Sequence, residues 1–316
     1  MIRLAVPCLC LFAACSSAPE PRREADPAIE ARYDDSEYRD FQAVLLRLDV
    51  AMDEYAAALS HKGQMRADMM TERLERLLRE TVLDDKPRPG VPVSLLGENY
   101  RRLQALAANA SLPNQRAIAL AALGFSGRPE VMPLIVQGAL ADDPHTVDRA
   151  VFGLAILRSP ETPIGLLAAI VENPEHPADG RAQAAWALYQ VQTALIDTSP
   201  VLALWQRYLT TERDRMSPAV LMTAVRGLGA SGDASHAPLV AEYLSYPVPK
   251  IREAAAIALG RMNAQGQWQA LLERLGPNES VQNVRLAARH ALAALAGNTD
   301  YGYDVAAWRK VFERGS

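Results

Sequence analysis

From position 16 to its end, this 316-residue chain contains no cysteine; Cys8, Cys10 and Cys15 are its only three. Neither an internal disulfide nor a cysteine metal site is open to that stretch, so packing has to hold it. Aromatic residues are scarce, at 6% against 49% for all hydrophobic residues. With Ala and Leu prominent, that balance favours close-packed helices over strands, which draw on Val, Ile, Thr and aromatics. A basic surplus is also missing. At a net charge of −4, little is available to neutralise phosphates, and nucleic acid is not expected as a partner. Five histidines are present, and none forms an H-x-x-x-H or H-E-x-x-H pair. No zinc site, and no cofactor, is therefore expected.

Catalytic motifs are missing too. There is no G-x-S-x-G and no P-loop. Gly227, Gly229 and Gly232 have dinucleotide-loop spacing, but they close a helical segment instead of joining a strand to a helix. The acidic pairs Asp84-Asp85 and Asp142-Asp143 sit in Pro-flanked loops, where carboxylates favour turns or cap helices. Nothing in the chain speaks for an enzyme.

What is present begins with Arg3 and an apolar run over 4–14, the length of a signal-peptide core and short for a membrane span. The run ends in Leu11-Phe12-Ala13-Ala14-Cys15-Ser16-Ser17. This resembles a bacterial lipoprotein lipobox, departing from it at Phe12. The resemblance implies cleavage before Cys15 and lipidation of its thiol, and so a lipid link to the membrane in the bacterial cell envelope. Ser16, in place of a retaining Asp, implies the outer membrane facing the periplasm. An ordinary secretory signal is the competing reading. Residues 15–35, rich in Pro, Glu, Arg, Asp and Ala, read as a flexible tether.

Helical spacing then takes over. Phe41, Val44, Leu45, Leu48, Met52, Tyr55 and Leu59, followed by Met65, Met69, Leu74, Leu77 and Leu78, predict a helical hairpin over 36–83. Three prolines and a glycine make 84–93 the clearest linker in the chain.

Beyond it the sequence repeats. Leu123, Leu154, Leu188, Leu228, Leu259 and Leu292 stand 31, 34, 40, 31 and 33 residues apart, within the range of solenoid arrays. Four positions before each leucine is an alanine, from Ala119 to Ala288, and the position just before it is always Ala or Gly. Offsets 0, −4 and −7 share one helical face, so the Leu and Ala are expected to pack inward, with Ala admitting a close neighbour. Offset −7 is Arg116, Val147, Arg181, Leu221, Arg252 and Arg285. The arginine stems are expected to cover apolar surface while the guanidinium stays wet or meets a loop carboxylate. A second amphipathic segment precedes each of these helices, at 95–108, 131–140, 162–171, 201–209, 237–244 and 267–275. Six such pairs predict an all-α fold, an α-solenoid over 94–297.

The stretches IREAAAIALG (251–260) and VRLAARHALAAL (284–295) resemble the helix signature of bacterial HEAT-repeat proteins, particularly phycobilisome-lyase HEAT-like repeats. The resemblance covers about two thirds of the chain. It implies a solenoid whose second helices line a concave groove, and says little about activity. The ending, 298–316, is expected to cap the last repeat, with Asp304 as N-cap and Trp308 and Phe312 sharing a face.

Offsets −6, −2 and +2 form the variable face of the second helices. The candidate partner-binding residues there are Phe152, Trp186, Gln190, Arg226, Glu253, Ile257, Arg261 and His290. Trp and Arg are frequent binding hot spots, although Phe152, Trp186 and Ile257 equally suit an inter-repeat core, as do Trp205 and Tyr208. The expected function is a lipid-anchored, non-catalytic scaffold for a protein partner. The alternative is an accessory protein or enzyme of lyase-like HEAT type acting on a bound small molecule or client protein.

Overall fold

A computed structural model describes residues 35–59, 65–87, 89 and 93–315. Among them are fifteen α-helices and no strand, and the chain is an all-α solenoid. Helices α1 (Asp35–Leu59) and α2 (Met65–Leu83) form the N-terminal hairpin. Six pairs follow: α3 (Glu98–Asn109) with α4 (Pro113–Leu123), α5 (Met132–Gly138) with α6 (Pro144–Leu157), and α7 (Ile164–Glu172) with α8 (Ala178–Gln192). Next come α9 (Ser199–Leu209) with α10 (Pro218–Ser231), α11 (Ala237–Glu242) with α12 (Pro249–Arg261), and α13 (Trp268–Leu275) with α14 (Gln282–Leu295). Helix α15 (Val305–Gly315) closes the array.

The repeat template explains the packing. All six anchor leucines and all six alanines four positions earlier are completely buried. The second helices pack on one another along the whole array, whereas the first helices touch each other at few places. The second-helix layer is therefore the inner, concave side of the curve. Close approach in that layer depends on small residues. A Cβ on Gly153 would collide with the Leu120 carbonyl, and one on Gly229 with Ala258.

Breakers set the helix starts. Pro occupies the first turn of α4, α6, α10 and α12, where its missing N–H costs nothing. Asp143 caps α6, accepting from the Thr146 amide at 2.8 Å.

The half-buried offset −7 arginines make bonds beyond the expected ones. Arg116, Arg181 and Arg285 donate through Nε to Ala107, Val171 and Leu275 carbonyls at 3.2, 2.8 and 3.2 Å. Each thus satisfies an orphan carbonyl at the end of its own pair's first helix, where the helix dipole also favours a cation. Only Arg252 takes a loop carboxylate, Glu279 of the next repeat, through bonds of 2.8 Å from Nε and Nη2. Val147 and Leu221, which replace the arginine, are buried apolar residues.

Asp304 caps α15 as expected, accepting from the Ala306 and Ala307 amides at 3.0 Å each. Trp308 is fully buried, donates to the Gly302 carbonyl at 2.9 Å and stacks near Phe312, which in turn stacks on Trp268 of α13 at 5.4 Å. Asp300 binds Arg289 of α14 through both oxygens. That bond holds its carboxyl down at about 2. This ending covers the apolar end of the last repeat, as solenoids require.

Candidate functional site

The inner face is the variable face of the second helices, and the hairpin divides it in two. Helix α1 lies against α4 and reaches α6. There Arg149 Nη2 donates to Asp49 at 2.9 Å and Asp53 at 3.1 Å. Tyr55, 1% exposed, meets Phe125 and Phe152 edge-on with centroids 5.2 and 6.4 Å away. Burial, followed by the nearby Glu75 charge, pushes its phenol up to about 12, with Arg158 opposing. Phe152 is consequently buried at 7% exposure. Its place among the groove candidates is corrected: it is core beneath α1, and it supports Trp186 by stacking at 5.9 Å.

Beyond α6 the face is open. Trp186 and Gln190 on α8 are half-buried, and Arg226 on α10 is exposed. On α12, Glu253 is half-buried while Ile257 and Arg261 are exposed; His290 on α14 is exposed as well. Trp186, Arg226, Ile257 and His290 share offset −2, so they form one row running across four consecutive helices. Gln190 and Arg261 belong to the parallel row at +2, and Glu253 and Leu286 to the one at −6.

The charge along these rows is uneven. Glu253 pairs with Lys250 of its own helix at 3.3 Å. Among the described residues Arg226 and Arg261 make no hydrogen bond or ion pair. The Arg226 guanidinium is held below its ordinary pKa, first by partial loss of hydration and also by the like charge of Arg261, against the pull of Tyr189 and Glu253. An exposed side chain that is still partly dehydrated fits a concave wall, where protein surrounds the group without sealing it from water.

Other aromatic candidates are resolved as structure. Trp205 and Tyr208 are fully buried. Trp205 Nε1 donates to Gln192 Oε1 at 2.8 Å, and Gln192 Nε2 donates to the Gly227 carbonyl at 2.8 Å. The network satisfies every polar group it buries here, which is what permits a buried Gln in an apolar layer. Tyr208 donates to Glu172 at 2.7 Å, and burial and that carboxylate raise its phenol strongly.

The histidines near loops do more than sit at the surface. His145 meets Asn114 at 3.4 Å, His176 meets Asp148 at 2.8 Å and His236 meets Gln206 at 3.0 Å. Each links one pair to the preceding one, and the His176 side chain is 8% exposed. Among the described residues no group of three or more His, Cys, Asp or Glu is placed to hold a metal ion. No described helix is long and apolar enough to cross a membrane. Cys15 lies outside the described residues.

Sequence reasoning did not find α1 as a cover for the inner face. Asp49 and Asp53 stand one turn apart, but their partner Arg149 is about 100 residues away, and no local pattern announces it.

Comparison with known proteins bears on the array. Residues 208–293 match the family model described as HEAT repeats. The remaining pairs follow the same register of buried Leu and Ala. Among curated proteins no match was found. Similar solved structures include an engineered protein (16% identity, 62% of this chain and 97% of that one, TM-score 0.45). The CpcE–CpcF complex of phycocyanin lyase from Nostoc sp. shares 14% identity over 80% of this chain and 90% of that one, with a TM-score of 0.40. Human deoxyhypusine hydroxylase in complex with glycerol shares 17% identity over 81% of this chain and 98% of that one, with a TM-score of 0.34. At such identities and TM-scores, none of the three bears on activity.

Proposed function

We propose that this protein is a non-catalytic HEAT-repeat scaffold, lipid-anchored through Cys15 in the bacterial cell envelope, that holds a partner protein on the inner face of its last four pairs. The observation that carries the reading is the open row of Trp186, Arg226, Ile257 and His290. It sets the Arg226 cation between the apolar Trp186 and Ile257, and neither Arg226 nor its neighbour Arg261 has an ion-pair partner among the described residues. Such a mixture of aromatic, aliphatic and Arg side chains is the composition of binding hot spots. The buried Trp205–Gln192 network and the core-packed Phe152 leave the remaining face rigid, so little ordering opposes binding.

Affinity purification of the full chain from solubilised envelopes tests the partner. A protein retained at physiological salt and lost on Ile257→Asp is expected. Retention of none, or of the same proteins by the variant, contradicts the reading. The anchor has its own test. Palmitate label should enter the parent chain and be absent from Cys15→Ala, and an unlabelled parent contradicts lipidation.

A further inference from the structure

The inner face also carries information about what it binds. Arg226 on α10 and Arg261 on the adjacent α12 are both exposed on this face, the Arg261 charge acts on the Arg226 guanidinium, and like charges placed together cost free energy unless a ligand relieves them. The carboxylate whose charge reaches Arg226, Glu253, also pairs with Lys250 at 3.3 Å. Counting Lys250, Glu253, Arg226 and Arg261, this part of the wall is positive on a chain whose net charge is −4. A local field opposite in sign to the molecule's own charge has to be built by placement.

The apolar flanks narrow the choice further. Trp186 lies half-buried on one side, while Ile257 and Leu286 keep 38% and 37% of their surface exposed on the other. An inorganic anion would use the arginines and leave these side chains wet. Adjacent packed helices stand about 8–10 Å apart, and an extended chain crosses that distance in about three residues. A peptide can therefore set carboxylates on Arg226 and Arg261 and lay apolar side chains on Trp186 and Ile257 within one short segment. At the N-terminal end, α1 closes the face with its own Asp49 and Asp53 on Arg149 at 2.9 and 3.1 Å. The chain itself thus already shows acidic side chains docking on an inner-face arginine.

We propose that the inner face of α8, α10, α12 and α14 binds an acidic, apolar-containing extended segment of the partner protein, its carboxylates seated on Arg226 and Arg261. The inference rests on the scaffold reading and adds the partner's chemistry to it.

A random 12-residue peptide display library, selected on the immobilised full chain in detergent, provides the test. Peptides rich in Asp and Glu with interspersed Leu, Ile or aromatic residues should be enriched. Synthetic copies of the winners should bind about tenfold more weakly for each carboxylate exchanged for its amide, an exchange worth about 1.4 kcal/mol. Arg226→Glu with Arg261→Glu should abolish their binding and shift selection to basic peptides, while Arg47→Glu, on the exposed side of α1, should change nothing. Enrichment of uncharged or basic peptides on the parent chain overturns the proposal. So does acidic binding that survives the double charge reversal, or binding only to anionic phosphatidylglycerol vesicles. If the library yields no binder while envelopes still supply a partner lost on Ile257→Asp, the acidic inference falls and the scaffold stands. If neither gives a partner, both fall.

Discussion

Glu279 is the residue whose replacement should most sharply expose how the repeats hold one another. Its side chain is 2% exposed and faces Arg252 at 13%, with two bonds of 2.8 Å to the guanidinium and a third, 3.0 Å, from the Val281 amide. Arg252 also donates to the Tyr246 and Pro247 carbonyls at 2.9 and 3.0 Å. Glu279→Ala removes the acceptor and leaves a nearly buried guanidinium with only carbonyls. Breaking a buried pair costs about 3–5 kcal/mol, and the carbonyls that stay with Arg252 place the expected loss at or just below that range, about 2–3 kcal/mol. Glu279→Gln keeps the shape and should lose about half as much.

The pH dependence follows from the direction of the shift. Hydrogen bonds from Arg252 outweigh burial and hold the Glu279 carboxyl below its ordinary value. The unfolded value is about 4.3. A depressed carboxyl contributes stability that is complete above the unfolded pKa and is lost as pH falls through the folded one. The gap between parent and Glu279→Gln should therefore be widest at neutral pH and close progressively below about pH 4. Because repeat arrays unfold in nearest-neighbour fashion, amide exchange resolved by helix is a better assay than one global midpoint. Protection should fall in α12 to α14 and stay unchanged in α4 and α6. Equal protection in parent and variant at neutral pH, or a gap that persists at pH 3, would refute the reasoning.

Other consequences are as specific. Gly229→Val forces a side chain against Ala258 and should cost about 1–3 kcal/mol or more by overpacking, seen as a lower urea midpoint. Gly165→Ala, a helical position with nothing within 4 Å of the added Cβ, should raise stability by about 0.5–1 kcal/mol. Tyr55→Ala should cost about 3 kcal/mol as a core cavity and red-shift Trp fluorescence, because water reaches Phe152 and Trp186. Arg181→Ala leaves the Val171 carbonyl without its donor and should cost about 1 kcal/mol, read as faster amide exchange at the end of α7.

The fold was legible because its rule is local and repeated. Ala255, Ala258 and Leu259 can be placed inward from the sequence alone, since a face of a helix is fixed by spacing, and five sister helices repeat the pattern. The role of Arg181 as an inter-helix cap was not legible, because the offset that puts a cation at a neighbouring helix end is set by the turn between the helices. Phe152 marks the sharper limit. Its register matches Trp186 and Ile257, and only the position of α1, fixed by Arg149 and residues about 100 positions earlier, decides that it is core. Trp205 was ambiguous for a similar reason, because its buried partners Gln192 and Gly227 lie on two different helices. The proposed role of Arg226 and Arg261 rests on their having no hydrogen-bond or ion-pair partner among the described residues, and a sequence cannot show which charges go unpaired.

The central claim is that the inner face of the last four pairs is where the partner sits. A photo-crosslinking amino acid placed at Ile257, in cells carrying the full chain, tests it most directly against the same group at exposed Leu140, two residues past the end of α5 on the first-helix layer. The account predicts one discrete crosslinked protein from position 257, absent from position 140 and lost when Arg226 and Arg261 are both changed to Glu. Identical crosslinks from the two positions, or none from 257, would contradict it.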